Sequence, residues 1–272
     1  MNIIDAHTHI GLTPGKDVRN LLLAMDDAGV AKAAVFAAPC LTDGVVTTDY
    51  VLNAVKDHTD RLFVVAAPEI TPKGYGSNAD YKNEKIAEDW IGRGVRAFKF
   101  YTGYQHFYPN SPCVYPFVEL LQKHNLPAIF HCGDTFDEAK GAKLKYAHPL
   151  AIDDLAVDMP GLKIIIAHMG SPWVIDAAQV CYKNKNVYTD CSGFTYGSFD
   201  PRSAKRFREM WKTFDDINEG NGTSKILFGT DWPISNPFIY VREVTELAGI
   251  NGATAIKDVM HRNAEKVFNL DS

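Results

Sequence analysis

Eight short apolar runs, spread evenly along 272 residues, constrain this chain more than any other feature of it. They are Ile3 to Ala6, Ala33 to Ala38, Leu62 to Ala67, Val95 to Tyr101, Ala128 to Phe130, Leu162 to Ala167, Val187 to Thr189 and Ile226 to Phe228. They are apolar and β-branched, and Gly, Pro, Asp or His bound them, as strands buried on both faces of a parallel sheet require. Stretches with helical spacing lie between them: Val18 to Ala28, Asp49 to Lys56, Glu84 to Ile91, Val114 to Lys123, Pro149 to Val157, Ser203 to Phe214 and Ile239 to Leu247. The residues just past the runs are His9, Pro39, Glu69, Lys99, His131, His168, Asp190 and Asp231, at intervals of 30, 30, 30, 32, 37, 22 and 41. One βα unit takes about 30 residues, so eight of them predict an α/β chain forming one (β/α)8 TIM barrel, a single domain over residues 1–272. The longest interval leaves Phe194 to Ser224, rich in Gly, Asn and charge, as an inserted segment placed to cover the barrel mouth, and Ala255 to Phe268 reads as a closing helix.

With 46% hydrophobic and 22% charged residues the chain can bury a large core. A net charge of −5, with the basic residues dispersed, leaves no footprint for a phosphate backbone or an anionic membrane surface. The partner expected is therefore a small-molecule substrate, without nucleic acid or membrane, and with a homo-oligomer left open. No apolar run reaches spanning length, and the N-terminus enters a strand without a basic leader, so a cytoplasmic location is expected. The five cysteines are odd in number, scattered and without a CxxC pair, which predicts reduced thiols. Gly11 to Lys16 fails as a phosphate loop, because only three residues separate its glycines and Asp17 stands where a magnesium-binding hydroxyl belongs.

The chemistry concentrates at the strand ends. His7 and His9 close the first run, two residues apart and so on one side of a strand. His131 follows the fifth run, His168 the sixth and Asp231 the eighth. A lone strand-end histidine is usually structural. Histidine is only 9 of 272 residues, however, so an HxH pair, two more strand-end histidines and a strand-eight aspartate make a joint pattern that chance disfavours. Imidazoles with a carboxylate suit a divalent metal, zinc above all, one ion or two, with a coordination position left for water. Such water loses a proton near pKa ~7, and Asp231 is suited to accept it as general base.

These residues resemble a known family. Asp5-Ala6-His7-Thr8-His9, Ala167-His168-Met169-Gly170 and Gly229-Thr230-Asp231-Trp232-Pro233 are similar to motifs of the amidohydrolase superfamily. Together with Ala147-His148-Pro149-Leu150 and Arg262 to Phe268, they most resemble its amidohydrolase-related group, which includes the aminocarboxymuconate semialdehyde decarboxylase type. The resemblance spans nearly the whole chain. It implies a metal bound by His7, His9, His131 or His168, and Asp231, with one of the two later histidines, His168 by preference, polarising substrate or moving a proton.

Lys99 alternates with Phe98 and Phe100 and should point into the barrel, where an ammonium needs an anionic partner. Three roles stay open: pairing with a substrate carboxylate, carrying a carbamate that bridges two ions as in two-metal members of the superfamily, or reaching solvent at the rim. Tyr101, Trp173 and Trp232 are candidates for the pocket wall. The reading is a metal-dependent hydrolase of an amide, lactone or ester-like bond. The alternatives are a non-oxidative decarboxylase of a small unsaturated or aromatic acid, and a barrel that binds metal without catalysis.

Overall fold

The computed structural model describes residues 2–70, 78–135, 141–195 and 199–270, with the backbone alone for 78–83. Eight strands run parallel in chain order: β1 (Ile3–His9), β2 (Val30–Phe36), β3 (Leu62–Ala66), β4 (Ala97–Phe100), β5 (Ala128–Phe130), β6 (Ile164–Ile166), β7 (Val187–Asp190) and β8 (Ile226–Leu227). The sheet closes on itself. Ala6 N–H donates to the Phe228 carbonyl at 2.8 Å, Asp231 N–H to that of His7 at 2.8 Å, and His9 N–H to that of Trp232 at 2.7 Å. The protein is a TIM barrel.

Side chains alternate between two cores. Ala97, Ile129, Ile165, Tyr188 and Leu227 pack inside the barrel, and Val267 and Phe268 of the last helix close its base. Phe98, Phe100, Phe130, Cys132 and Ile166 face outward against the helices. Lys99 and His131 therefore sit on the inner side, one step above Ala97 and Ile129. In β1 the register against β2 shifts between Asp5 and Thr8. That irregularity lets Ala6 fill the inner core while His7, its direct neighbour, and His9 both face the cavity above it.

The connecting helices are α1 (Val18–Ala28), α2 (Thr48–Val55), α3 (Asn78–Gly92), α4 (Tyr115–Lys123), α5 (Leu150–Asp158), α6 (Val174–Lys183), α7 (Pro201–Ile217) and α8 (Pro237–Gly249), with α9 (Ala253–Lys257) and α10 (Asn263–Phe268) behind them. Their starts carry local signals: the side chains of Asp17, Asp200 and Asn236 accept from backbone N–H groups of α1, α7 and α8. The helix α6 was not among the helical stretches expected from the sequence. It fills the short interval between β6 and β7 and packs on α7.

The expected cover over the barrel mouth needs correction. Most of Phe194 to Ser224 is α7, whose Phe207, Trp211 and Phe214 are buried against the body, so this stretch is chiefly the crossover helix between β7 and β8. Residues 196–198 lie outside the described part. The expected closing helix forms from Ala253 to Phe268, as α9 and α10 joined through a wider, π-type helical turn at Asp258–Arg262. Among the described residues no helix is long and apolar enough to cross a membrane.

Candidate metal centre

A cavity of 210 Å³ opens at the C-terminal mouth of the barrel, where a TIM barrel carries its chemistry. Its wall includes His7, His9, Lys99, Tyr101, His131, His168 and Asp231, drawn from β1, β4, β5, β6 and β8. Leu12, Leu41 and Ile234 add an apolar rim, and Tyr104, Asp134, Thr135 and Gly193 complete the lining.

Three donor atoms meet at the deep end. Asp231 Oδ1 lies 3.8 Å from His7 Nε2 and 3.3 Å from His9 Nε2, and all three residues are buried. The other nitrogen of His7, Nδ1, lies 3.0 Å from Asp190 Oδ2. Asp190 is held below the ordinary carboxylate range: burial alone would raise it, but the imidazoles of His7 and His168 and the ammonium of Lys99 outweigh burial. Burial in turn pushes His7 down to about 3, with Lys99 adding to the effect, so the ring is neutral. A neutral ring that gives its one proton to Asp190 turns a bare Nε2 lone pair toward Asp231.

Asp231 also lies below its usual range, because a hydrogen bond from His9 and the neighbouring imidazoles of His7 and His168 outweigh its burial. A lone pair of His7 thus faces an ionised carboxylate. Two acceptors so placed repel each other unless a cation lies between them, and a soft nitrogen pair with one carboxylate oxygen is a zinc-type donor set. The residues fit a divalent metal.

His131 stands apart from this trio. Its Nε2 is 2.9 Å from the carbonyl of Asp134, to which it donates as a neutral ring, and the edge of Tyr104 packs on it at 4.9 Å. Burial, then the neighbouring His168 imidazole and the Lys99 ammonium, hold His131 well below its ordinary value. His168 follows β6 in a left-handed conformation with φ 59°, and Asp231 has φ 62°. Such conformations cost of order 1–3 kcal/mol for a residue with a side chain. Both are pinned, His168 N–H by Asp190 Oδ1 at 3.0 Å and Asp231 N–H by the His7 carbonyl. The loop after β5 is equally constrained, since a Cβ on Gly133 would lie 2.0 Å from the Ser171 carbonyl oxygen.

Lys99 is 1% exposed and its Nζ has no hydrogen-bond partner among the described residues. It sits 5.4 Å from the Phe36 ring centre and 5.6 Å from that of Tyr101. Burial pushes its pKa down to about 8 despite the attraction of Asp190 and Asp231. Of the three roles considered from sequence, reaching solvent is overturned, because the ammonium is buried. Tyr101 is anchored by its hydroxyl, which donates to the Ala37 carbonyl at 2.7 Å.

The sequence model described as amidohydrolase matches residues 4–270, nearly the whole chain. The chain belongs to the amidohydrolase family. Among solved structures, the chain is similar to an uncharacterised TIM-barrel protein of Bordetella bronchiseptica, with 18% identity, TM-score 0.77 and 99% of each chain covered. It is also similar to a probable 2-pyrone-4,6-dicarboxylic acid hydrolase of Acinetobacter baumannii, with 14% identity, TM-score 0.68, and 99% of this chain and 100% of that one covered. The third is a 2,6-dihydroxybenzoate decarboxylase from Rhizobium, with 18% identity, TM-score 0.64 and both chains covered in full. At these identities the likeness is one of fold. No curated protein sequence matches the chain.

Two aromatics expected in the pocket wall lie elsewhere. Trp173 packs against His148 with ring centres 4.8 Å apart, at the start of α6, and Trp232 turns into a separate groove beside Pro237. The direction of a loop side chain follows from its neighbours, which spacing does not reveal. Sequence reasoning also passed over Asp190 and Ser192, although Asp190 marks the end of the seventh strand just as Asp231 marks the eighth. Tyr104 and Asp134, in the loops after β4 and β5, carried no signal. Asp5 was read only as part of a motif, yet its carboxylate accepts from the His7 N–H and from both the N–H and hydroxyl of Thr230, tying the first strand to the residue before Asp231.

Proposed function

We propose that this chain is a metal-dependent hydrolase that cleaves an amide, lactone or ester-like bond in a small carboxylated molecule. The observation that carries the reading is the approach of two imidazole Nε2 atoms and one carboxylate oxygen within 4.8 Å of one another at the barrel mouth. His7, His9 and Asp231 would hold a divalent cation, zinc by the chemistry of the donor set. When bound, the ion supplies Lewis acidity, polarising the substrate oxygen and lowering the pKa of water.

The chain's own groups do the rest. Asp231 accepts the proton of the attacking water and returns it to the leaving group, as its ionised state permits. Lys99 pairs with the substrate carboxylate, which gives its buried ammonium the hydrogen-bonding anion that it lacks among the described residues. His131, fixed by the Asp134 carbonyl, forms the facing wall, and the modest cavity limits the substrate to a small molecule.

The test is metal analysis of the purified protein, followed by turnover of a panel of lactones and amides of small carboxylic acids in ¹⁸O-labelled water. Hydrolysis puts one labelled oxygen into the product carboxylate. Release of carbon dioxide without label uptake would turn the reading to decarboxylation. Protein that takes up no stoichiometric metal and turns over nothing on the panel would overturn it.

A further inference from the structure

Between β7 and the cavity lies a hydrogen-bond hub that the mechanism above leaves unused. Asp190 Oδ1 accepts from the His168 N–H at 3.0 Å, the Ser192 N–H at 3.1 Å and the Ser192 hydroxyl at 2.5 Å, while Oδ2 faces His7 Nδ1 at 3.0 Å. Four donors thus fill the lone-pair sites of one buried carboxylate. The Ser192 oxygen lies 2.9 Å from His168 Nδ1 and 3.1 Å from His7 Nδ1.

Proton counting then fixes the rings. An ionised carboxylate only accepts, so the single hydroxyl proton of Ser192 goes to Asp190. The Ser192 oxygen can only accept from the imidazoles, so His168 must carry its proton on Nδ1, as His7 does toward Asp190. Both rings then present an unprotonated Nε2 on the side away from the hub. Asp190 and Ser192 are fully buried, and Ser192 lies two residues beyond Asp190, on the same face of the extended chain leaving β7.

We infer that Asp190 is the positioning group that sets the tautomers of both rings, directly for His7 and through Ser192 for His168, delivering one Nε2 to the metal and the other to substrate as a proton acceptor. This rests on the functional reading above for the roles of the two Nε2 atoms, but the tautomers themselves do not depend on it. The arrangement also explains why His7, His168 and Asp190 approach one another as closely as a metal-ligating group while their polar atoms are already engaged.

The test is ¹⁵N nuclear magnetic resonance of the histidine rings in metal-free protein at pH 8, with His7 and His168 identified by Gln substitution. The expected result is Nδ1–H in both rings of the unsubstituted protein. Ser192→Ala should release His168 to a mixture of tautomers with His7 unchanged, leave cobalt affinity within about twofold, and lower kcat with little change in KM. In Asp190→Asn, three donors hold the amide oxygen at the Oδ1 place, so the amide nitrogen turns a donor toward His7. The His7 proton should then move to Nε2 and cobalt affinity fall by about 10–100-fold.

Finding Nε2–H in either ring of the unsubstituted protein overturns the inference, whatever the variants do. Unchanged tautomers in both variants overturn it as well. Metal binding with the opposite tautomers sinks the hub alone, whereas the expected tautomers in a protein that binds no metal sink the functional reading and keep the hub's control of the rings.

Discussion

The Nζ of Lys99 lies 5.4 Å from the centre of the Phe36 ring, and the same ring stacks on His7 at 4.1 Å. One aromatic floor therefore supports both the cation and a candidate metal ligand. This arrangement keeps water away from Lys99 and lowers its pKa to about 8 from an ordinary 10.5.

Between those two pH values the unfolded chain binds the proton that the folded protein has lost, so stability rises with pH across the window. At neutral pH the buried charge costs on the order of 3 kcal/mol. Lys99→Met should raise the melting temperature at pH 7 and flatten the dependence between pH 8 and 10.5. It should also weaken turnover of carboxylated substrates at least tenfold, chiefly through KM. Calorimetry and steady-state kinetics on the same preparation check both, and a lower melting temperature would contradict the account.

Asp5 shows the opposite sign. Burial raises its carboxyl to about 7 from 3.8, against the hydrogen bonds from Thr230 and the His7 N–H. Its contribution is fully present below pH 3.8 and is lost as pH rises toward 7. Asp5→Asn removes that loss, so its stability relative to the unsubstituted protein should grow between pH 4.5 and 7.5, by on the order of 2–4 kcal/mol. Urea unfolding at the two pH values measures the difference.

Asp231→Asn should lower kcat by about 10³ while the melting temperature moves by only a few degrees. Asn is among the residues that best tolerate the left-handed conformation found here, so the backbone loses little. Near-normal rates in a folded variant would remove Asp231 from the chemistry.

Gly193 has φ +77°, and a Cβ there would stand 2.8 Å from His168 Nδ1 and 3.2 Å from Asp231 Oδ2. Gly193→Ala should displace both side chains and cost at least 10²-fold in kcat/KM. Its strand-end site lies away from the two cores, so circular dichroism should stay close to that of the parent.

Removal of metal by a chelator should lower the melting temperature. An ion bound at 100 times its Kd adds about 2.7 kcal/mol to the folded state alone. Zinc added back should restore the temperature in proportion to the logarithm of its free concentration. A melting curve indifferent to chelator and zinc would argue against an ion at His7, His9 and Asp231.

Much of this was legible in the chain. Parity along β4 placed Lys99 inward and Phe98 and Phe100 outward, because a strand's alternation needs no partner to define it. The same rule put His131 into the cavity. It could not show that His131 would engage the Asp134 carbonyl, since the loop after β5 takes its path from Gly133 passing Ser171. Nor could it show Trp173 and Trp232 turned away from the site.

The sequence by itself determined the barrel, its eight strand ends and the five polar residues that they carry, because period-two burial and βα spacing are properties of local segments. Tertiary structure alone decided which of those side chains stand within reach of one ion, His7, His9 and Asp231, and which face the Asp190 hub, His7 and His168. The register shift of β1 against β2, the left-handed turns at His168 after β6 and Asp231 after β8, and the Asp190 hub at the end of β7 all depend on neighbours that the closed sheet brings together. Contacts between strands separated by some 180 residues exist only once the sheet has closed, so no local pattern encodes them.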